Sequence, residues 1–294
     1  SSSGSAAAVA CGMVPLALGT QTGGSVTRPA SFCGIYGLKP TLGMISRRGV
    51  TMQSHTLDTV GVYGRSMSDI ALIGDALSQS DPADPVSYAR TPGGLADAVG
   101  ERGKSPSPRF AFMRTPAWDK ADAPAQQAIL EFVAGLPDCM NEVPDPAAFD
   151  TILDAHRRVQ HGENVHHFAA IEARARDLLS PTLREILDEG RTVTAGAYLD
   201  ALAVRETAYE AFATLLDKFD AVVCLSACGA APKGHDWTGD PIFNGMWTLL
   251  GVPTVTLPLL TADGLPLGIQ IVGKRREERR LLSNANWLDR KVAT

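Results

Sequence analysis

Gly19-Thr20-Gln21-Thr22-Gly23-Gly24-Ser25-Val26-Thr27-Arg28-Pro29 is the stretch on which the reading of this chain turns. Two glycines before a serine permit backbone conformations and close approaches that other residues resist. Successive N–H groups at such a turn form a nest for negative charge. A serine placed there stands beside ready-made donors for the oxyanion that acyl transfer generates. Upstream, across the Ala-rich segment Ala6 to Met13, lies a second hydroxyl-rich run, Ser1-Ser2-Ser3-Gly4-Ser5. Two serine-bearing loops therefore flank one short buried element. Alone, Gly-Gly-Ser is an ordinary flexible turn, so the weight falls on its surroundings.

Those surroundings are a long run of rarely combined pieces. Ser1 to Ala10 is followed by Pro15-Leu16-Ala17-Leu18-Gly19-Thr20, by Thr22-Gly23-Gly24-Ser25, by Arg28-Pro29-Ala30-Ser31-Phe32-Cys33-Gly34 and by Gly37-Leu38-Lys39-Pro40-Thr41. Asp58-Thr59-Val60-Gly61 continues the pattern. It returns near the C-terminus in Gly239-Asp240-Pro241-Ile242-Phe243-Asn244, in Trp247 to Pro253 and in Gly264 to Gly273. Together these segments resemble the signature of the amidase signature family, whereas residues 85–235 match it only loosely.

The resemblance implies hydrolysis of a carboxylic amide by a serine–cis-serine–lysine triad. Position by position, Ser25 corresponds to the nucleophile and Ser1 to the bridging serine. The backbone of Thr22, Gly23, Gly24 and Ser25 corresponds to the oxyanion hole. The family's lysine has no counterpart here, because it lies several dozen residues before the serine-rich loop. The expectation is therefore an N-terminal part outside this sequence, with residues 1–294 forming the C-terminal two-thirds or so of one amidase-signature-like α/β domain. Within it, residues 85–235 are expected to be a more divergent, helix-rich peripheral portion. Residues 1–294 alone are expected to turn over amides poorly. A serine hydroxyl is a weak nucleophile until a base takes its proton. Neutralising a lysine at pH 7 from a reference pKa near 10.4 costs about 4.6 kcal/mol, which burial and nearby positive charge reduce. The bridging serine would pass the proton from Ser25 to the lysine, and later return one to the departing amine. The scheme needs no metal and no organic cofactor.

No other residue type offers a competing centre. Of the seven lysines, Lys39 belongs to a signature element but reads as structural. A free α-amino group on Ser1 acting as base would leave the signature around Ser25 idle. His161, Glu163, His166 and His167 crowd one segment but lack the His-Glu-x-x-His spacing of a zinc protease. They read as a solvated or cleft-lining helix face. Cys224 and Cys228 are four apart with no second pair to complete a zinc site, so no metal is expected.

Composition agrees with an ordinary globular enzyme, at 45% hydrophobic and 20% charged residues. The net charge of −5 argues against a nucleic-acid-binding surface. No run of about 18 apolar residues is present to span a membrane. Five irregularly spaced cysteines point to reduced thiols and a cytoplasmic setting.

Local patterns give the elements. Helices are expected over Ala6 to Cys11, Arg28 to Cys33, Met67 to Leu77 with Ser66 or Ser68 as cap, Ala125 to Val133, residues 148–177 and 194–218, and Glu277 to Leu288. Leu199, Leu202, Tyr209, Phe212, Leu216 and Phe219 roughly follow one helical stripe. Strands are expected over Pro15 to Gly19, Arg109 to Met113 and Ala221 to Leu225, with a hairpin over Val255 to Val272 turning at Asp263-Gly264. Residues 79–108, rich in Pro, Gly, Ser and Asp, read as exposed loop. Lys274-Arg275-Arg276 reads as a solvated helix entry. These elements give an α/β class with a mixed sheet. The resemblance adds that the sheet is twisted and covered by helices on both faces.

Substrate choice rests on local departures from the family pattern. Gln21 stands where many members have Asp, and Arg28 is one position later than their arginine. Arg28 either clamps a substrate carboxylate or braces its own loop. Phe243, Met246 and Trp247 either line an acyl pocket or belong to the core. The leading function is an amidohydrolase acting on a small-molecule amide. The alternatives are a glutaminase-like subunit of an amidotransferase complex and a non-catalytic remnant of the fold. A homodimer or an accessory subunit is the possible protein partner.

Overall fold

The computed structural model describes residues 1–89, 93–100 and 107–293. Helix α1 (Ser3–Ala10) leads to strand β1 (Ala17–Gln21), and the serine-bearing turn joins β1 to α2 (Thr27–Cys33). Pro29 sits in the first turn of α2, where a missing N–H is tolerated. Gly34 closes the helix at φ +64°, a left-handed conformation that glycine takes without strain. Strands β2 (Tyr36–Lys39) and β3 (Thr59–Gly64) precede α3 (Met67–Leu77), α4 (Leu95–Gly100) and β4 (Phe110–Phe112). Helix α5 (Ala123–Ala134) and strand β5 (Met140–Glu142) are followed by three helices in succession: α6 (Ile152–Ala175), α7 (Pro181–Thr192) and α8 (Ala195–Leu215). The chain ends with β6 (Ala221–Leu225), α9 (Ile242–Leu249), the hairpin β7 (Thr254–Ala262) and β8 (Leu265–Val272), and α10 (Glu278–Ala293).

The eight strands form one mixed sheet in the order β1-β3-β2-β7-β8-β6-β4-β5. All neighbours are antiparallel except β6–β4 and β4–β5, which are parallel. Successive side chains of a strand face opposite sides, and this separates two cores. Phe110, Phe112, Val223 and Leu225 pack with residues of α3, α4, α5 and α10. Ala111, Val222 and Cys224, from the same two strands, pack with α6, α8 and α9. Helices thus cover both faces of the sheet. A third, smaller cluster, with Ala6, Val9, Val26, Ala30 and Tyr63, welds α1 and α2 to the β1 end.

The hairpin turns where the Asp-Gly dipeptide predicts, with Asp263 at φ +53° and Gly264 at φ +75°; paired positive φ values are the requirement of the tight I′ turn. Pro258 lacks the N–H a ladder needs, and the β7–β8 register shifts between Leu257 and Leu260. Ser66, not Ser68, caps α3, accepting from the Asp69 N–H at 3.1 Å.

Other elements depart from the local patterns. Helix α4 lies inside the stretch read as loop. Leu95, Ala98 and Val99 are buried, and Asp75 accepts from the N–H groups of Leu95 and Ala96, capping α4 from another helix. Residues 90–92 and 101–106 of that loop reading lie outside the described residues. Strand β1 starts two residues later than expected and is an edge strand with Leu18 half-exposed. Helix α7 is an addition to the expected elements, although Ser180-Pro181 is a start signal; the Ser180 hydroxyl accepts from the Leu183 N–H. Strands β2, β3 and β5 and helix α9 are further additions. Leu199 leaves the expected stripe for solvent, whereas Phe212 and Leu216 of that stripe are buried, together with Ala201 and Ala208. The basic run before α10 is tied down: Lys274 bonds Asp217 at 2.6 Å, and Arg275 lies 3.7 Å over the Tyr209 ring while pairing with Glu206. No helix among the described residues is long and apolar enough to cross a membrane.

Candidate active site

Strand β1 delivers the chain into the turn, and Gln21 at its end organises the backbone beyond it. Its Oε1 accepts from the N–H groups of Val26 (2.9 Å) and Thr27 (3.0 Å) and from Thr27 Oγ1 (3.1 Å), capping the start of α2. Its Nε2 donates to Thr248 Oγ1 on α9 at 3.0 Å. A carboxylate accepts but cannot donate, so this Nε2 bond to α9 depends on the amide.

The carbonyls of the turn are each held. His156 Nε2 reaches Thr22 O at 3.0 Å, Thr248 Oγ1 donates to Gly23 O at 2.7 Å, and the Arg28 N–H donates to Gly24 O at 3.0 Å. Ser25 O accepts from Tyr63 OH (3.0 Å) and from the Ser2 N–H (3.2 Å). In a trans peptide the C=O and N–H point opposite ways. Fixing the carbonyls of Thr22, Gly23 and Gly24 therefore aims the N–H groups of Gly23, Gly24 and Ser25 the other way. Among the described residues those three N–H groups donate to no protein acceptor. Gly24 is required for this packing: a Cβ there would lie 2.4 Å from Asn244 Oδ1.

Ser25 is only partly buried, and its Oγ has no hydrogen-bond partner among the described residues. Ser1 Oγ makes no hydrogen bond to it among the described residues. Ser1 is exposed and its Oγ lies 2.7 Å from Ser3 Oγ. The neighbouring Ser2 makes the connection instead, through its N–H to Ser25 O and through its Oγ, which accepts from the Thr20 N–H at 3.0 Å.

A cavity of about 400 Å³ opens beside the turn, walled by Leu153, His156, Arg157 and Gln160 of α6 and by Pro241 and Ile242. Gly23 lies at its edge, with a Cβ position 3.3 Å from Pro241 and 3.8 Å from Gln160 Oε1. His156 is 8% exposed, and its burial pushes its pKa down to about 4. The ring is therefore neutral at ordinary pH, and a carbonyl 3.0 Å from Nε2 places its single proton there. Gly245 lets α9 approach this ring, since a Cβ would come within 2.8 Å of Nδ1.

Seven residues on, two turns along the same face of α6, Glu163 ties down the loop before β3. It accepts from Ser54 Oγ, Thr56 Oγ1, the Thr56 N–H and Tyr198 OH. Burial acts to raise its pKa, but the hydrogen bonds from Ser54 and Thr56 outweigh that and hold it below the ordinary glutamate value. The loop's own Asp58 accepts from the N–H groups of Gln53 and Ser54 and from Thr22 Oγ1 at 2.5 Å. A continuous polar chain thus runs from α8 and α6 to the serine turn. The His161–His167 segment is split between uses. Glu163 is structural, His161 pairs with Glu189 at 2.9 Å, and His166 and His167 line a separate cavity.

Arg28 is 3% exposed, donates to Thr238 Oγ1 at 3.1 Å and feels the charge of Asp240. It braces the segment before α9 and does not wall the cavity. Lys39 is fully enclosed, with Nζ donating to Val252 O (2.5 Å) and Pro40 O (3.0 Å). Its role is to pin the end of β2 to the approach of β7.

Phe243 and Trp247 correct the pocket expectation. Both are 0% exposed. Phe243 faces one core, and Trp247 stacks edge-on against Phe149 at 6.0 Å and tilted against Phe212 at 5.5 Å in the other. Met246 is buried with Trp247. Trp247→Phe is therefore expected to lower stability by about 1–2 kcal/mol and to leave KM within about twofold. Denaturant unfolding with steady-state kinetics checks this; an unchanged midpoint with a raised KM would return Trp247 to the pocket.

His156 and Tyr63 are site residues that the sequence does not mark, whereas Asp58 and Thr248 fall within signature segments without any sign that they reach the turn. Local sequence does not show these contacts, because each residue reaches the turn from a distant element. All five cysteines are free thiols; burial raises Cys224 to about 12 and Cys228 to about 11. Among the described residues no group of three or more His, Cys, Asp or Glu is placed to hold a metal ion.

Residues 1–282 match the profile of the Amidase family. The glutamyl-tRNA(Gln) amidotransferase A subunit of Clostridium botulinum (strain Eklund 17B / Type B) is 34% identical, over 97% of this chain and 65% of that protein. A solved chain from a vestigial protein complex, described as revealing the evolutionary origins of an s-triazine catabolic enzyme, superposes with a TM-score of 0.87 at 26% identity, over 98% of this chain and 65% of its own. The structure of 6-aminohexanoate cyclic dimer hydrolase gives 0.82 at 25% identity, over 100% and 68%. The chain spans about 65% of the length of the first of these relatives. A mixed sheet clothed in helices, a Gly-Gly-Ser turn with its carbonyls held and a match over nearly the whole chain converge, and this chain belongs to the amidase signature family.

Proposed function

We propose that the protein is an amidohydrolase that cleaves the C–N bond of a carboxylic amide through an acyl-enzyme on Ser25. The observation that carries the reading is the turn itself. Its carbonyls are bonded into the fold, and three successive N–H groups are left beside an unpaired, partly exposed serine hydroxyl. Such donors stabilise an oxyanion at the moment it forms and require no rearrangement.

In this scheme Ser25 Oγ adds to the amide carbon, and the carbonyl oxygen takes the negative charge among the N–H groups of Gly23, Gly24 and Ser25. Ser1, whose neighbour Ser2 bonds Ser25 O, is the relay for the hydroxyl proton once its Oγ turns from Ser3, and the family's lysine is the final base. A proton then returns to the amine as the C–N bond breaks, and water hydrolyses the ester by the same route in reverse. The cavity beside Gly23 receives one substituent of the amide, and Gln160 is the polar side chain beside Gly23 at its edge. The buried position of Arg28 favours bracing over carboxylate binding.

The test is covalent labelling of the complete protein with a fluorophosphonate and mapping of the modified peptide. Modification at Ser25, lost in Ser25→Ala, is the expected result; modification at another serine that persists in the variant refutes the assignment. The curated relatives favour a second reading, in which the protein works within an amidotransferase and hands ammonia to a partner. Glutaminase activity that depends on a co-purifying second subunit would select that reading.

A further inference from the structure

We propose that His156 is a positioning residue for this reaction, holding the Thr22–Gly23 peptide so that the Gly23 N–H faces the oxyanion. The inference rests on the reading of Ser25 as nucleophile. The three peptides of the turn are not equally secured. The carbonyl of Gly24 is held by the Arg28 N–H at the start of α2, and that of Gly23 by Thr248, which Gln21 also grips. The carbonyl of Thr22 has one partner among the described residues, His156 Nε2 at 3.0 Å.

That peptide is also the one most able to turn over. It precedes Gly23, whose backbone takes either sign of φ at little cost. Rotating the Thr22–Gly23 plane would replace an N–H by a carbonyl oxygen at the site facing Ser25. A donor to the oxyanion would become a source of repulsion. His156 opposes that rotation because leaving would strand a largely buried carbonyl and a largely buried imidazole N–H.

The ring is well suited to the task. It stands on a long helix rather than a loop. The bare Cα of Gly245 backs it, so the ring has little room to withdraw. Its buried, neutral state leaves one N–H on Nε2 and makes the bond directional. Thr22 is held at its other end by Asp58 through Oγ1, so the residue is clamped from two sides and the peptide after it is set by His156.

The experiment compares His156→Leu with His156→Gln in the complete protein, measuring kcat and KM for a simple amide, the rate of fluorophosphonate labelling and thermal unfolding. His156→Leu is expected to lose about 10- to 100-fold in kcat and in labelling rate, with KM within about threefold. His156→Gln carries a side-chain N–H that reaches the same carbonyl and is expected to recover most of the loss. If His156→Leu fails to fold, Gly245→Ala presses on the ring from behind and is expected to lower kcat in the same way, while alanine favours the helix. Equal loss in the leucine and glutamine variants, a raised KM at unchanged kcat, or wild-type kcat in Gly245→Ala would overturn the proposal. Labelling and turnover that survive Ser25→Ala would instead overturn the reading it rests on.

Discussion

Ser25→Ala is expected to lower amide turnover by at least about 10³-fold, the scale seen when a nucleophile is removed from a catalytic triad. Its thermal midpoint is expected to stay close to that of the parent. The two halves of this expectation come from different atoms. The Ser25 carbonyl is structural, bonded by Tyr63 and Ser2, and alanine keeps it. The Ser25 hydroxyl bonds nothing among the described residues, so its removal breaks no contact of the fold. Ser2→Ala is the useful contrast. It removes a hydroxyl that accepts from the Thr20 N–H, and a loss of about 1 kcal/mol in stability is expected there. Activity and unfolding measured side by side on the two variants separate chemistry from scaffold. Residual turnover in Ser25→Ala within tenfold of the parent would remove Ser25 from the mechanism.

The largest pH effect on stability is expected from Lys39. Burial lowers its pKa from 10.5 to about 7, with Glu278 opposing the shift. Between those values the unfolded chain carries a proton that the folded chain has released. Stability from this group therefore rises with pH across that window, and below about pH 7 the folded protein bears the cost of an enclosed ammonium. A difference of 10.5 − 7 = 3.5 corresponds to about 5 kcal/mol as an upper bound, since 1.36 kcal/mol accompanies each unit. Lys39→Met is expected to flatten the slope of unfolding free energy over this range. It also leaves the carbonyls of Val252 and Pro40 unpaired, so it should cost most at the alkaline end. Urea unfolding of both proteins across the window measures this. A parent–variant difference that does not change with pH would show that Lys39 keeps an ordinary pKa inside the fold.

Some of this molecule is legible without coordinates, and the legible parts share a cause. The helix at Met67–Leu77, the Asp263-Gly264 turn and the buried strand at Ala221–Leu225 depend on periodicity and φ preferences of residues close in sequence. The Gly-Gly-Ser turn is legible for the same reason: its backbone freedom is a local property, and the pieces around it carry the family resemblance. Where local signals are present but weak, as at Ser180-Pro181, the structure uses them.

What only the tertiary structure decided is which way groups face and what they meet. Gly23 and Gly24 permit many conformations, and the one adopted is selected by His156 and Thr248 from remote helices. Phe243 and Trp247 have the same apolar character whether they line a pocket or fill a core. Their place on the faces of α9 turned into the two cores, with no exposed surface, makes them part of the filling. Glu163 reads as one member of a His-rich surface until Ser54, Thr56 and Tyr198 are brought to it. A hydrogen bond needs both partners within about 3 Å and aligned. Separation along the chain carries no such information, so the hydroxyl that attacks could be found in the sequence while the groups that aim the backbone around it could not.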